Sequence, residues 1–348
     1  VFNGFGTITA TRSADANIVA ERERLRGVEQ DVLLQTITTY MDVVRDTAVL
    51  KLSENNVEVL GKQLQATNDR FSVGEVTKTD VAQSQARQSR ATSDRIQAEG
   101  NLISSTAQQE KLVGEKPVDL KMPERLPAIP ATFEEAQARA LAANPLLTRA
   151  DHLQKAAGHD SYTARSRILP TVAIVGEMRR DDGSSINRGS SYENDSITVT
   201  ASIPLYQSGE EYSRIRQADR TNERRKEEVN DTRNQVIQNI TQAWQQVQTA
   251  RATIKSNTDS VKAAEIALDG VKQENQYGAR TTLDVLDAEQ ELFQARVNLV
   301  RAQRDEVVAV YTLLAAMGDL SARNLQLPVQ YYDPEKNYRR VKWKFIGW

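Results

Sequence analysis

The chain has 348 residues with a formal net charge of −2 and no cysteine. Charges of both signs are interspersed, which leaves no electrostatic footprint for nucleic acid or a polybasic membrane patch, and no nucleic-acid partner is expected. The missing thiols exclude disulfides, thiolate chemistry and cysteine-borne lipidation within these residues.

No apolar run approaches the ~20 residues of a membrane-spanning helix; barrel strands, whose alternating signal is weaker, stay open. His152 and His159 lie in polar helical sequence without a partner cluster. They read as surface histidines, since a catalytic metal site usually draws three protein ligands. With no phosphate loop, nucleophile triad or ligand cluster in view, the chain reads as non-enzymatic, without metal or cofactor.

A gapless internal repeat organises the rest. Gly74-Glu75-Val76-Thr77-Lys78-Thr79-Asp80 corresponds to Gly278-Ala279-Arg280-Thr281-Thr282-Leu283-Asp284, an offset of 204 positions, and Tyr40, Val57, Leu64 and Gly114 match Trp244, Val261, Leu268 and Gly318. Repetition on this scale constrains the fold more than local propensity does. Val1 falls in mid-motif, because its mate Leu205 follows a strand and a long helix. A counterpart of roughly 73 residues, with any signal peptide, is therefore expected upstream.

In chain order, residues 7–71 carry no proline and read as one helix of about 100 Å. A glycine turn at Val73-Gly74 ends it, and Thr77-x-x-Asp80 resembles a capping box opening a return helix over 78–113. Pro117, Pro123, Pro127 and Pro130 make 115–131 a connector. Thr132-Phe133-Glu134-Glu135 caps a helix over 132–167, kinked or broken at Pro145. Strands follow at 171–179 and 196–204, with 181–195 as a long hairpin loop. In the second, Ile197, Val199, Ala201 and Ile203 alternate with Thr198, Thr200 and Ser202. That pattern suits a strand between lipid and a watery lumen, and the pair alone also suits a soluble hairpin. Two strands cannot close a barrel, so closure requires further copies.

The second long helix, 209–275, places Val236, Ile240, Ala243, Val247, Ala250, Ile254, Asn257, Val261, Ala264, Leu268 and Val271 at alternating steps of four and three. This is a coiled-coil seam with left-handed supercoiling. The first copy has Thr36, Thr39, Asp46 and Ser53 there, a wetter seam. The turn at Tyr277-Gly278 and the box Thr281-x-x-Asp284 open the return helix 281–317. In the tail, Val341, Trp343 and Phe345 alternate with Lys342 and Lys344, which predicts a packed strand. The domain map is a first repeat at 1–114, the connector at 115–131, a second repeat at 132–318 and a C-terminal segment at 319–348. The fold class is mainly α with a small β part, built from duplicated long helical hairpins.

Val1-Phe2-Asn3-Gly4 and Pro204-Leu205-Tyr206-Gln207-Ser208-Gly209 resemble the strand-to-helix junctions of the TolC family of outer-membrane efflux and secretion ducts. The run Tyr277 to Ala288 is similar to that family's periplasmic-tip motif. The resemblance implies a homotrimer with a periplasmic α-barrel and a twelve-stranded outer-membrane β-barrel, each protomer giving four strands. Three are visible here, the fourth being expected upstream. It further implies an equatorial band from the connector and C-terminal segment, and an exit duct for a tripartite efflux pump or type I secretion system. The implied partners are a periplasmic adaptor, an inner-membrane transporter and outer-membrane lipid. The alternative is a coiled-coil scaffold or periplasmic adaptor without a pore.

Asp284 and Asp287 are three apart and share a helix face. Around a threefold axis they would gather six carboxylates, raising some of their pKa values and favouring cations. The resemblance assigns this pair to a pore constriction and Arg280 to the gate's bonding network. Asn275 stands where the family often has an aromatic gate partner, whereas the first copy has Phe71, so both are candidate partners. Asp284 also suits helix capping, and the two roles can coexist. The tips Val73, Gly74, Glu75 and Tyr277, Gly278, Ala279 are, by resemblance, the adaptor contacts.

Overall fold

The computed structural model describes residues 2–182, 191–342 and 344. Its elements are β1 (Phe2–Asn3), α1 (Gly6–Ser72), α2 (Lys78–Val113), α3 (Phe133–Ala143), α4 (Pro145–Ser166), β2 (Thr171–Asp182), β3 (Ser191–Ser202), α5 (Glu210–Gln276), α6 (Thr282–Met317) and α7 (Glu335–Val341). Helices α1 and α5 are 67 residues each, and α2 and α6 are 36 each. Two compact units emerge, one of residues 1–27, 143–236 and 332–348, the other of 28–142 and 237–331.

In the second unit, Ile240, Ala243, Val247, Ala250, Ala264 and Leu268 of α5 are buried, as are Leu292, Ala295, Ala302, Ala309 and Leu313 of α6. Burial thus falls on the seam that the four–three spacing marks. The seam of α1 is more polar by contrast, burying Asp46, Ser53 and Thr67 alongside Val43 and Leu60. Asp46 is only 6% exposed, and Arg45 Nε donates to it at 2.8 Å. Arg45 also pairs with Asp42, which accepts from Arg304 of α6 at 2.9 Å. The hydrogen bond to Asp46 holds the Arg45 guanidinium above its ordinary pKa. A buried carboxylate persists because its charge and lone pairs are met this way. The connector lacks helix and strand; Tyr40 Oη donates to the Lys121 carbonyl at 2.8 Å and accepts from its N–H at 3.0 Å.

In the first unit, α4 packs on α5 through Ser161 and Arg165, both donating to Asp219, at 2.5 and 2.9 Å. Pro145 ends α3 and begins α4 as its first residue; Asn144 is the N-cap, its Oδ1 accepting from Leu146 N–H at 2.9 Å. Proline is tolerated there because that N–H has no helical partner.

The sheet has the order β1-β2-β3, all antiparallel. Its hairpin is longer than the sequence pattern indicates. Residues 181–182 and 191–195, expected in the loop, are strand, paired through Asp182↔Ser191, while Pro204 lies beyond β3. Polar pairing extends the ladder: Arg180 Nε lies 2.8 Å from Glu193 Oε1 across the strands. Of the expected loop, 183–190 lie outside the described residues. Register divides the faces. Val172, Ile174 and Met178 share one side with Ala201, Val199 and Ile197; Thr171, Glu177 and Arg179 share the other with Ser202, Ser196 and Asn194, and with Val175 and Tyr192.

The tail corrects a second expectation. Val341 ends a helix rather than starting a strand, and Trp343 and Phe345 lie outside the described residues. Pro334 is the N-cap, Glu335 stands in the first turn, and Arg339 and Arg340 stand in the last, charges that complement the helix dipole. Tyr338 Oη donates to Asp15 at 2.7 Å, and the Arg22 guanidinium lies 5.2 Å above its ring. Tertiary contacts on one helical face outweigh the alternation of the tail.

Candidate functional site

Both hairpin tips lie in the second unit and share one backbone design. Gly74 N–H donates to Phe71 O at 3.0 Å and Glu75 N–H to Arg70 O at 2.9 Å; Gly278 and Ala279 repeat this onto Asn275 and Glu274 at 3.0 and 2.9 Å. Gly74 and Gly278 have φ of 80° and 76°. A Cβ at either would meet nothing within 4 Å, so the left-handed dihedral, and not space, calls for glycine.

The return helices open on complete capping boxes. Asp284 Oδ2 accepts from Thr281 N–H and Oγ1, both at 2.8 Å, while Asp284 N–H donates to Thr281 Oγ1 at 3.2 Å. Thr77 and Asp80 do the same. The backbone hydrogen bond from Thr281, then its hydroxyl, holds the Asp284 carboxyl below its ordinary pKa of 3.8; for Asp80 the Thr77 hydroxyl leads. A lowered folded-state pKa stabilises above the unfolded value and loses that contribution as pH falls through the folded one. The first turns of α2 and α6 are therefore expected to fray progressively below about pH 3.8. Amide hydrogen exchange, corrected for its intrinsic pH dependence, reads this directly. Asp284→Gln, which preserves a capping box without a titrating group, should remove the effect at α6.

The expected gate residues divide into two groups. Arg280 Nε donates to Glu274 at 2.8 Å, its carbonyl accepts from Asn275 Nδ2 at 2.8 Å, and Asn275 Oδ1 accepts from Arg70 at 3.4 Å. Arg280 and Asn275 thus belong to one tip network, and Glu274 raises the Arg280 pKa by hydrogen bonding. Phe71 is exposed beside it. Asp287, one turn into α6, is exposed and ion-paired with Arg87 of α2. Val73, Glu75, Ala279 and Tyr277 are exposed at the tips, Tyr277 by 88%.

Arg70, Arg87 and Glu274 are absent from the sequence-based site. A signal for them exists: at the repeat offset Arg70 stands opposite Glu274 and Arg87 opposite Glu291, a charge inversion between copies.

The profile of the outer membrane efflux protein family matches residues 1–115 and 137–319. This chain belongs to that family. The outer membrane efflux protein BepC of Brucella suis is 35% identical over all of this chain and 76% of its own length. The alkaline protease secretion protein AprF of Pseudomonas aeruginosa is 26% identical over 91% of this chain and 67% of its own. Among solved structures, CusC superposes with a TM-score of 0.81 at 18% identity, over 90% of this chain and 74% of that one. The protein is accordingly an outer-membrane protein of a Gram-negative bacterium from a family of efflux channels. Its fold is the TolC-like one, mainly α with a small β part. No helix among the described residues is long and apolar enough to cross a membrane.

Proposed function

We propose that this outer membrane efflux protein is one protomer of a homotrimeric channel-tunnel, the exit duct of a tripartite efflux pump or type I secretion system. The observation that carries this reading is the β2–β3 hairpin. Over its first half an apolar row (Val172, Ile174 and Met178 with Ala201, Val199 and Ile197) is set against a mostly polar one, and the same side turns polar beyond it at Arg180 and Glu193. Yet Ile197 is 82% exposed and Ile174, Met178 and Val199 are exposed with it. A soluble hairpin would bury one such face. An outer-membrane strand turns it to lipid, the polar face to a watery lumen, and the free edge of β3 to a neighbouring copy.

In this reading the helical hairpins project into the periplasm, and their tips meet a periplasmic adaptor that joins the duct to an inner-membrane transporter. Asp284 and Asp287 of three protomers form the acidic constriction at the tip. The protein performs passage and closure without chemistry of its own. A pore-free scaffold would leave the apolar row of the hairpin unexplained.

The test is single-channel recording of the protein in planar bilayers, with the mass of the detergent-solubilised assembly. Cation-selective currents from a trimer support the duct; folded, inserted protein that never conducts overturns it. Ile197→Arg is expected to cost about 2–4 kcal/mol if the residue lies near the bilayer midplane. Heat-modifiable mobility of the assembled barrel on gels would report the loss, with Thr198→Arg on the lumen face as the tolerated control.

A further inference from the structure

We infer that Arg87 sets the effective charge of the constriction, so that the first hairpin governs ion passage through a ring carried by the second. This inference rests on the acidic-ring reading. Arg87 and Asp287 form an ion pair between α2 and α6. Its geometry is held from below by apolar packing. Ala91, one turn beyond Arg87, and Leu286, adjacent to Asp287, are buried together with Leu60 of α1. The Arg87 side chain is largely covered while that of Asp287 stays open to solvent. A guanidinium anchored in this way is a fixed part of the electrostatics around the carboxylate.

Arg280, the other basic group expected at the gate, ion-pairs with Glu274 and acts by charge on Asp284 rather than on Asp287. In a threefold assembly, each Asp287 carboxylate is thus accompanied by one guanidinium, and the formal negative charge of the ring is halved. A second contact runs in the same sense, from Arg70 of α1 to Asn275 of α5. Both cations belong to the first hairpin, and their repeat mates are the acids Glu274 and Glu291. Arg87 is accordingly a positioning and charge-setting residue, acting through Asp287 rather than on the passing ion.

The experiment is block of single channels in planar bilayers by hexaamminecobalt(III), an inert trivalent cation, together with reversal potentials in a salt gradient. Arg87→Gln should lower the half-blocking concentration on the order of tenfold and increase cation selectivity, since a pore charge acts strongly on a multivalent ion. Arg87→Lys, which retains the charge, should behave as the wild type. In an Asp287→Asn background the guanidinium loses the carboxylate that holds it at the ring, so Arg87→Gln should change block by clearly less than it does in the wild type. If Arg87→Gln leaves block unchanged while Asp284→Gln/Asp287→Asn abolishes it, the ring stands and this inference is wrong. An Arg87→Gln effect that persists undiminished in the Asp287→Asn background overturns it equally. Should the aspartate variant itself leave block unaltered, the ring reading falls and takes the role of Arg87 with it.

Discussion

Asp284→Gln combined with Asp287→Asn is expected to abolish block by multivalent cations and to bring the reversal potential close to that of a non-selective pore. The effect should be large because two carboxylates per protomer converge, in the proposed trimer, on one narrow opening. Their capture of a trivalent ion depends on summed charge rather than on any single contact. The half-blocking concentration should rise by on the order of a hundredfold or more. The choice of substitutions matters. Asp284 also closes the capping box with Thr281, so alanine there would remove a helix cap together with a charge. Glutamine at this third helical position can still reach back to the cap N–H, isolating the charge. Recordings in which the alanine pair alters gating but the amide pair does not would assign closure to the helix terminus and not to the ring.

The second large effect is mechanical. Leu286→Ala is expected to destabilise the tip by about 2–5 kcal/mol, the range for deleting a fully enclosed leucine side chain. Leu286 is 1% exposed and packs with Leu60, Ala91 and Val57, where α1 and α2 meet α6. Losing it opens a void beneath the Arg87–Asp287 pair as well as removing apolar burial. Global unfolding of a chain with two compact units is poorly described by one transition, so local hydrogen exchange is the better measurement. Protection around Leu60, Ala91 and Leu286 should fall on the order of a hundredfold. The neighbouring Leu283→Ala, at a more exposed position, should stay within about 0.5 kcal/mol of the parent. Equal responses at the two positions would refute the assigned packing.

The features legible from residue order alone are local ones. Helix ends were legible because their causes lie within a few residues: glycine at a left-handed dihedral, threonine and aspartate three apart, and proline at Pro145 where an N–H is dispensable. The α5 seam was legible because Ile240, Ala243, Val247 and Ala264 recur at one period on one helix. Where partners are distant, pattern alone fell short. Leu286 and its repeat mate Ala82 occupy matched positions, yet the first is buried and the second exposed. The hairpins' differing neighbours decide that, and neither local window contains them. Arg87 meets Asp287 for the same reason, as a pair 200 positions apart. In the tail, alternating Val341 and Lys342 favoured a strand, and the contacts of Tyr338 with Asp15 and Arg22 selected a helix instead. Backbone periodicity and capping are properties of a segment. Charge pairing and burial between segments belong to the tertiary structure, because only folding chooses which of many similar faces come together.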